Sequence, residues 1–176
     1  MSLTLNGSAG VTTNSGAVYD GLQTSTAVAS TSGTSIDFTG IPSWVKRITV
    51  MFSGVSLSGT SSFLIQLGTS AGFVSTGYIG SGNRTGATTI AGASFTTGFS
   101  YNNQTALATY SGNTIISNCT GNIWVASGVL GTNGSTEFCC MTGGNISLSS
   151  TLDSIRITTV NGTDTFDAGS INIIYE

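Results

Sequence analysis

The stretch that decides the fold is Trp44-Val45-Lys46-Arg47-Ile48-Thr49-Val50-Met51-Phe52. Side chains in a β-strand alternate between its two faces, so Trp44, Lys46, Ile48, Val50 and Phe52 share one face, with Val45, Arg47, Thr49 and Met51 on the other. Asp37 stands in an alternating Ile36-Asp37-Phe38 just upstream, and Gly40-Ile41-Pro42-Ser43, which holds the single proline, separates the two runs. Downstream, Ser53 to Ser61 reads as a turn-rich connection, and Phe63-Leu64-Ile65-Gln66-Leu67 is a further strand with Phe63, Ile65 and Leu67 aligned. Two such strands joined by a polar, glycine-containing loop predict an antiparallel pair.

The same alternation recurs to the end of the chain. Ser154–Thr159 places Ile155 and Ile157 inward and Arg156 outward. Asn161-Gly162 is a favoured turn pair, Phe166 lies beyond it, and Ser170–Tyr175 aligns Ile171, Ile173 and Tyr175. Between these ends, residues 106–110, 114–117, 121–126 and 136–141 read as strands divided by Ser-Gly-Asn, Asn-Cys-Thr-Gly and Thr-Asn-Gly-Ser turns, and short strands are expected at 76–80 and 87–96. The expectation is all-β: about nine or ten strands in a jelly-roll-like antiparallel β-sandwich. Residues 1–26 scatter apolar side chains among Asn, Gly, Ser and Thr and are read as an extended arm that docks on a partner through Leu3, Leu5, Val11, Tyr19 and Leu22. Residues 27–176 form the single sandwich domain.

Composition agrees with strands and narrows function. The 176 residues include 27 Ser, 29 Thr and 25 Gly, almost half the chain, a mixture that suits sheets and turns and disfavours helices. Four Lys+Arg and a net charge of -3 give no basic surface for a phosphate backbone, so no nucleic-acid partner is expected. With no His, imidazole-based catalysis and metal ligation are absent. Structural zinc needs four ligands, and Cys119, Cys139 and Cys140 supply three. These cysteines are read as small buried thiols. No apolar run is long enough for a membrane helix, so no membrane insertion is expected. The opening residues lack a secretory pattern, and the chain is expected to be made in a cytoplasm without a cleaved signal. Low charge on a hydroxyl-rich sheet protein also hints at a subunit of a larger particle, where assembly covers sheet edges.

No residue pattern carries catalysis. Asp164 and Asp167 are read as a satisfied turn and not a calcium loop. Asp37 and Asp20 have nothing in sequence that ties them into a glycosidase pair. Serine lacks a histidine partner. Lys46-Arg47 is read as a charge that deters edge pairing. The aromatic residues Phe73, Tyr78, Phe95, Phe99, Tyr101 and Tyr110 either fill the core or offer faces to a sugar ring. The candidate exposed recognition loop is Tyr78, Tyr101, Asn102, Asn103 and Gln104. Catalytic residues, metal ligands and cofactors are all expected to be none.

Two segments carry a resemblance. TSIDFTGIPSWVKRITVMFSGVS (34–56) and LDSIRITTVNGTDTFDAGSINIIYE (152–176) resemble parts of tailed-bacteriophage virion proteins of the tail-fibre or tail-fibre-like family, and LTLNGSAGV (3–11) resembles their opening. The middle, 68–140, lies outside the likeness. The resemblance implies a non-enzymatic virion protein, a short tail fibre or fibre tip. Its arm would dock on other phage structural proteins of the tail or capsid, and its loops would face the host surface and its glycans. A homotrimer suits such an object. The absence of a heptad or triple-helical shaft leaves a capsid decoration role (cement or head-fibre) as the alternative, and a carbohydrate-active enzyme as the remote one.

Overall fold

The computed structural model describes residues 21–86, 90–102, 105–134 and 138–176, and the backbone of three short strands before them. Those three, β1 (Thr4–Asn6), β2 (Gly10–Thr12) and β3 (Val18–Tyr19), pair antiparallel in chain order. The body then runs β4 (Gln23–Thr24), β5 (Val28–Ala29), β6 (Ile36–Thr39), β7 (Arg47–Leu57), β8 (Phe63–Thr69), β9 (Gly72–Phe73) and β10 (Ile79–Gly86). It continues with β11 (Ile90–Phe95), β12 (Phe99–Ser100), β13 (Ala108–Thr120), β14 (Ile123–Gly134), β15 (Phe138–Ser147), β16 (Ser154–Thr159) and β17 (Phe166–Tyr175).

Two antiparallel sheets pack as a sandwich. The long sheet has the order β11-β10-β15-β14-β13-β7-β17-β4, with β5 also on β17. The short sheet has the order β12-β8-β16-β6, with β9 on β8. Aligned apolar residues meet as the alternation predicts. In the short sheet Leu67, Ile155 and Phe38 form one cross-strand row and Ile65, Ile157 and Ile36 the next. They face Ile48, Val50, Phe52, Ile116, Trp124, Leu130, Ile171 and Ile173 of the long sheet, all buried. Phe63 sits at the centre, edge-on to Tyr110 at 5.1 Å and to Phe52 at 5.6 Å, with Phe166 stacked at 6.3 Å. Such ring pairs add to the burial term that holds the two layers together.

Three differences from the expected boundaries shape the body. Pro42 closes a turn in which its carbonyl accepts from the Val45 amide, so β7 starts at Arg47 and Trp44 is exposed while Val45 is buried. The segment 53–57, expected as a connection, continues β7. Its Gly54, at φ +62°, forms part of an irregularity against Gly169 of β17, where a side chain at Gly169 would run into the Gly54 carbonyl. An added residue bends the strand without ending it. The third difference is at the arm boundary. β4 falls inside the expected arm, yet Thr24 and Gln23 pair with Ile174 and Tyr175, so the sandwich begins before residue 27.

Candidate functional site

The two tyrosines proposed for surface recognition belong to the core. Tyr78 is 2% and Tyr101 0% exposed, and Asn102 is 6% exposed. Each polar tip is satisfied internally, which is what lets a tyrosine be buried whole. The Leu67 amide donates to Tyr78 Oη at 2.7 Å, and Tyr101 Oη lies 2.6 Å from Thr114 Oγ1. Asn102 Nδ2 donates to the Ala91 carbonyl at 3.0 Å. Burial pushes the Tyr78 phenol up to about 12, against the smaller pull of its hydrogen bond from Leu67, and raises Tyr101 further still. These three residues are therefore corrected from recognition loop to packing. Asn103 and Gln104 lie outside the described residues. The core-filling reading of the aromatic residues is the one that holds for Tyr78, Phe99, Tyr101 and Tyr110, all buried.

Of the expected docking residues, Leu3 lies outside the described residues, and for Leu5, Val11 and Tyr19 only the backbone is described. Leu22 is exposed.

The carboxylates are occupied. Both oxygens of Asp37 accept from Arg156, at 2.8 and 2.7 Å, and the Arg156 guanidinium also lies 4.2 Å from the Phe73 ring centre. The hydrogen bonds to Asp37 raise the Arg156 pKa. Asp164 accepts from the Ser61 amide at 2.8 Å and from Asn161 Nδ2 at 2.7 Å. Asp167 accepts from the Ser56 hydroxyl. Asp164 is thus the satisfied turn residue its sequence suggests, tying loop 58–62 to loop 160–165. Asp20 lies outside the described residues.

Lys46 and Arg47 are corrected as edge charges. β7 is an interior strand between β13 and β17, and the pair sits at its end, where Arg47 meets Glu176 and Lys46 Nζ reaches Asn118 Oδ1 at 3.5 Å. The cysteines are three free thiols. Cys140 is buried, and desolvation lifts it to about 12 despite the favourable charge of Arg84. Cys119 and Cys139 are exposed, against expectation. Cys139 pairs across β14 with Gly131 and so reaches Ser111, while Cys119 lies eight residues further along β13. That separation is ~26 Å at strand rise, too far for a disulfide.

Two features escaped the sequence. The first is the polarity of the sandwich. β4 pairs with the end of β17, so the chain enters beside Tyr175, Glu176 and Trp44, whose ring lies 6.1 Å from that of Tyr175. The loops 58–62, 105–107 and 160–165 gather at the other end of β7, a strand of 11 residues and ~35 Å. Leu107 is exposed there.

The second is the outer face of the long sheet. Directly paired residues of antiparallel strands share a face, so register defines its rows. One row is Gly92, Asn83, Met141, Val129, Asn113, Met51 and Asn172. The next is Ser94, Ser81, Gly143, Ser127, Ile115, Thr49 and Ile174. Ile79, Val125, Val129, Ile115, Ile123 and Met141 are all exposed on this face. Small residues of β10, β11 and β15 line a groove of about 490 Å³, and its Asn83 carries a buried Oδ1 with no hydrogen-bond partner.

Comparison of the chain with family models, with curated proteins and with solved structures gives no match.

Proposed function

We propose that the chain is a non-enzymatic structural subunit of a phage particle, a short tail fibre or fibre tip that assembles with copies of itself as a homotrimer. The observation that carries this reading is the polarity of the sandwich. β4, the first strand of the body, lies at the end marked by Trp44, Tyr175 and Glu176, and the loops 58–62, 105–107 and 160–165 crowd the opposite end. An attachment protein needs this separation, because one end is held by the particle while the other meets a host surface glycan or protein.

The residues resembling virion proteins support it as well. The segments 34–56 and 152–176 come together as paired strands, β6 on β16 and β7 on β17, and thus make one structural unit across both layers. The occupied carboxylates Asp37, Asp164 and Asp167 argue for holding and against bond-breaking, because a glycosidase acid or nucleophile needs an open carboxyl pair.

The test removes residues 1–20 and, separately, replaces Leu107 with Asp. Loss of particle incorporation in the first and loss of host-cell binding in the second, with both variants folded, support the fibre reading. Incorporation without cell binding by the intact chain assigns it to capsid decoration. Indifference to both changes overturns the polarity reading.

A further inference from the structure

We infer that the outer face of the long sheet is covered by a second copy of this chain. The inference deepens the oligomeric part of the proposed function and rests on it. Its first support is the absence of charge. Across the outward rows of β11, β10, β15, β14 and β13, no described residue is charged. Arg84 of β10 pairs with buried Cys140 and turns to the ring of Phe138, on the other side. The first cation met is Arg47 at the arm end, and Glu176 neutralises it. The outer face of the short sheet is different, since it carries the Arg156–Asp37 ion pair. One chain thus has a charged face suited to water and an uncharged one that excludes charge as interface centres do.

The second support is area. Seven strands from β11 to β17 at ~4.8 Å spacing, by eight residues at ~3.3 Å, make ~900 Å², and a stable pairing needs ~800 Å² from each partner. Within that area Val129 is 50% and Met141 41% exposed, side by side in one row. Exposed Ile115 lies in the adjoining row, and clustered apolar side chains of this kind mark interaction surfaces. The third support is the groove. Asn83 Oδ1 is buried and lacks a donor, and a second chain seated on the face can supply one.

The chemistry of the face selects its occupant. A sugar site uses an aromatic platform, and among the described residues the outward rows hold no aromatic ring. A charged partner finds no counter-charge. In a homotrimer three copies turn this face to a common axis, and such a face, hydroxyl-bearing with apolar side chains and no net charge, meets neither obstacle, because like charges never come opposite each other.

The experiment is sedimentation velocity of the full chain across a concentration series, with Val129→Lys and Met141→Lys together and Val160→Lys as the control. Val160 is exposed in the loop after β16, off this face. The parent and the control are expected to self-associate, and the double variant to dissociate with a constant weaker by roughly a hundredfold. Labelling of Cys139, whose row adjoins that of Met141, is a second measurement on the unaltered chain. Its reaction with a maleimide is expected to slow in the associated state relative to Cys119 beside the β13–β14 turn. An oligomer that ignores both lysines and leaves Cys139 reactive overturns the face assignment and leaves the oligomeric subunit standing. A parent chain that stays monomeric overturns both, while the particle experiments above decide the virion role independently.

Discussion

Replacing Tyr101 with Phe tests whether this residue is core or recognition surface. The substitution removes one oxygen from a ring that is wholly buried, and that oxygen's partner, Thr114 Oγ1 at 2.6 Å, is equally buried. A buried hydrogen bond contributes about 1 kcal/mol net, and stranding its partner raises the cost to about 1–3 kcal/mol. The Asn113 carbonyl at 3.4 Å is a weak second acceptor and changes this little. The expected loss is therefore about 2 kcal/mol, or ~4–8 °C in Tm for a chain of this size. Urea unfolding read by fluorescence of buried Trp124 gives the number, with an unchanged m-value as the sign that only stability moved. Thr114→Val should cost a similar amount, and the double variant little more than either, a coupling of about 2 kcal/mol. A Tyr101→Phe protein as stable as its parent but defective in host-cell binding would refute the assignment of Tyr101 to the core.

Gly128→Ala, in the same cluster, should cost about 1–3 kcal/mol through overpacking, because its new methyl runs into the Tyr101 hydroxyl and lies 2.7 Å from the Asn113 carbonyl. Gly131→Ala is the control, its nearest obstacle being the Ser111 carbonyl at 3.9 Å, and its urea midpoint should barely move. Burial raises Cys140 from 9.0 and Tyr78 from 10.0, each to about 12, so the unfolded chain releases these protons first. Their contribution is complete below pH 9 and lost as pH rises towards about 12, so the urea midpoint should fall over that window, and Cys140→Ala should flatten its lower part. Arg156→Lys loses the two-pronged grip on Asp37 and the contact with the Phe73 ring. Because that pair is about one third open to water, the loss measured by urea unfolding should be below ~1 kcal/mol and shrink with salt.

Period-two alternation made the sandwich legible wherever a strand was both regular and half-buried. Phe63, Ile65 and Leu67, and Ile155 with Ile157, face the core as read from sequence. Turn chemistry misled elsewhere. Ser111-Gly112-Asn113 reads as a turn but runs through β13, and Gly143-Gly144 likewise lies within β15. A side chain at Gly112 would strike the Val129 carbonyl and one at Gly144 the Ile79 carbonyl, so glycine here permits close approach between neighbouring strands. Trp44 was misplaced because a turn at Pro42 breaks the alternation before β7 begins.

The candidate site was less legible than the fold. Tyrosine and asparagine in a glycine-rich stretch suggest a surface, and nothing local announces that Leu67, Thr114 and Ala91 will satisfy their polar atoms from distant strands. Val129, Met141 and Ile115 read as core by type, and only the pairing of β13, β14 and β15 puts them together on the outside. The polarity of the body likewise depends on β4 pairing with the end of β17, which two residues of sequence do not reveal.

The most direct test of the virion role is electron microscopy of purified phage particles with a gold-labelled antibody to this chain. Gold at a fixed place on the particle, at the tail tip for a fibre or over the head for a decoration subunit, is the predicted result. Bare particles, with the chain recovered only outside them, would contradict the account.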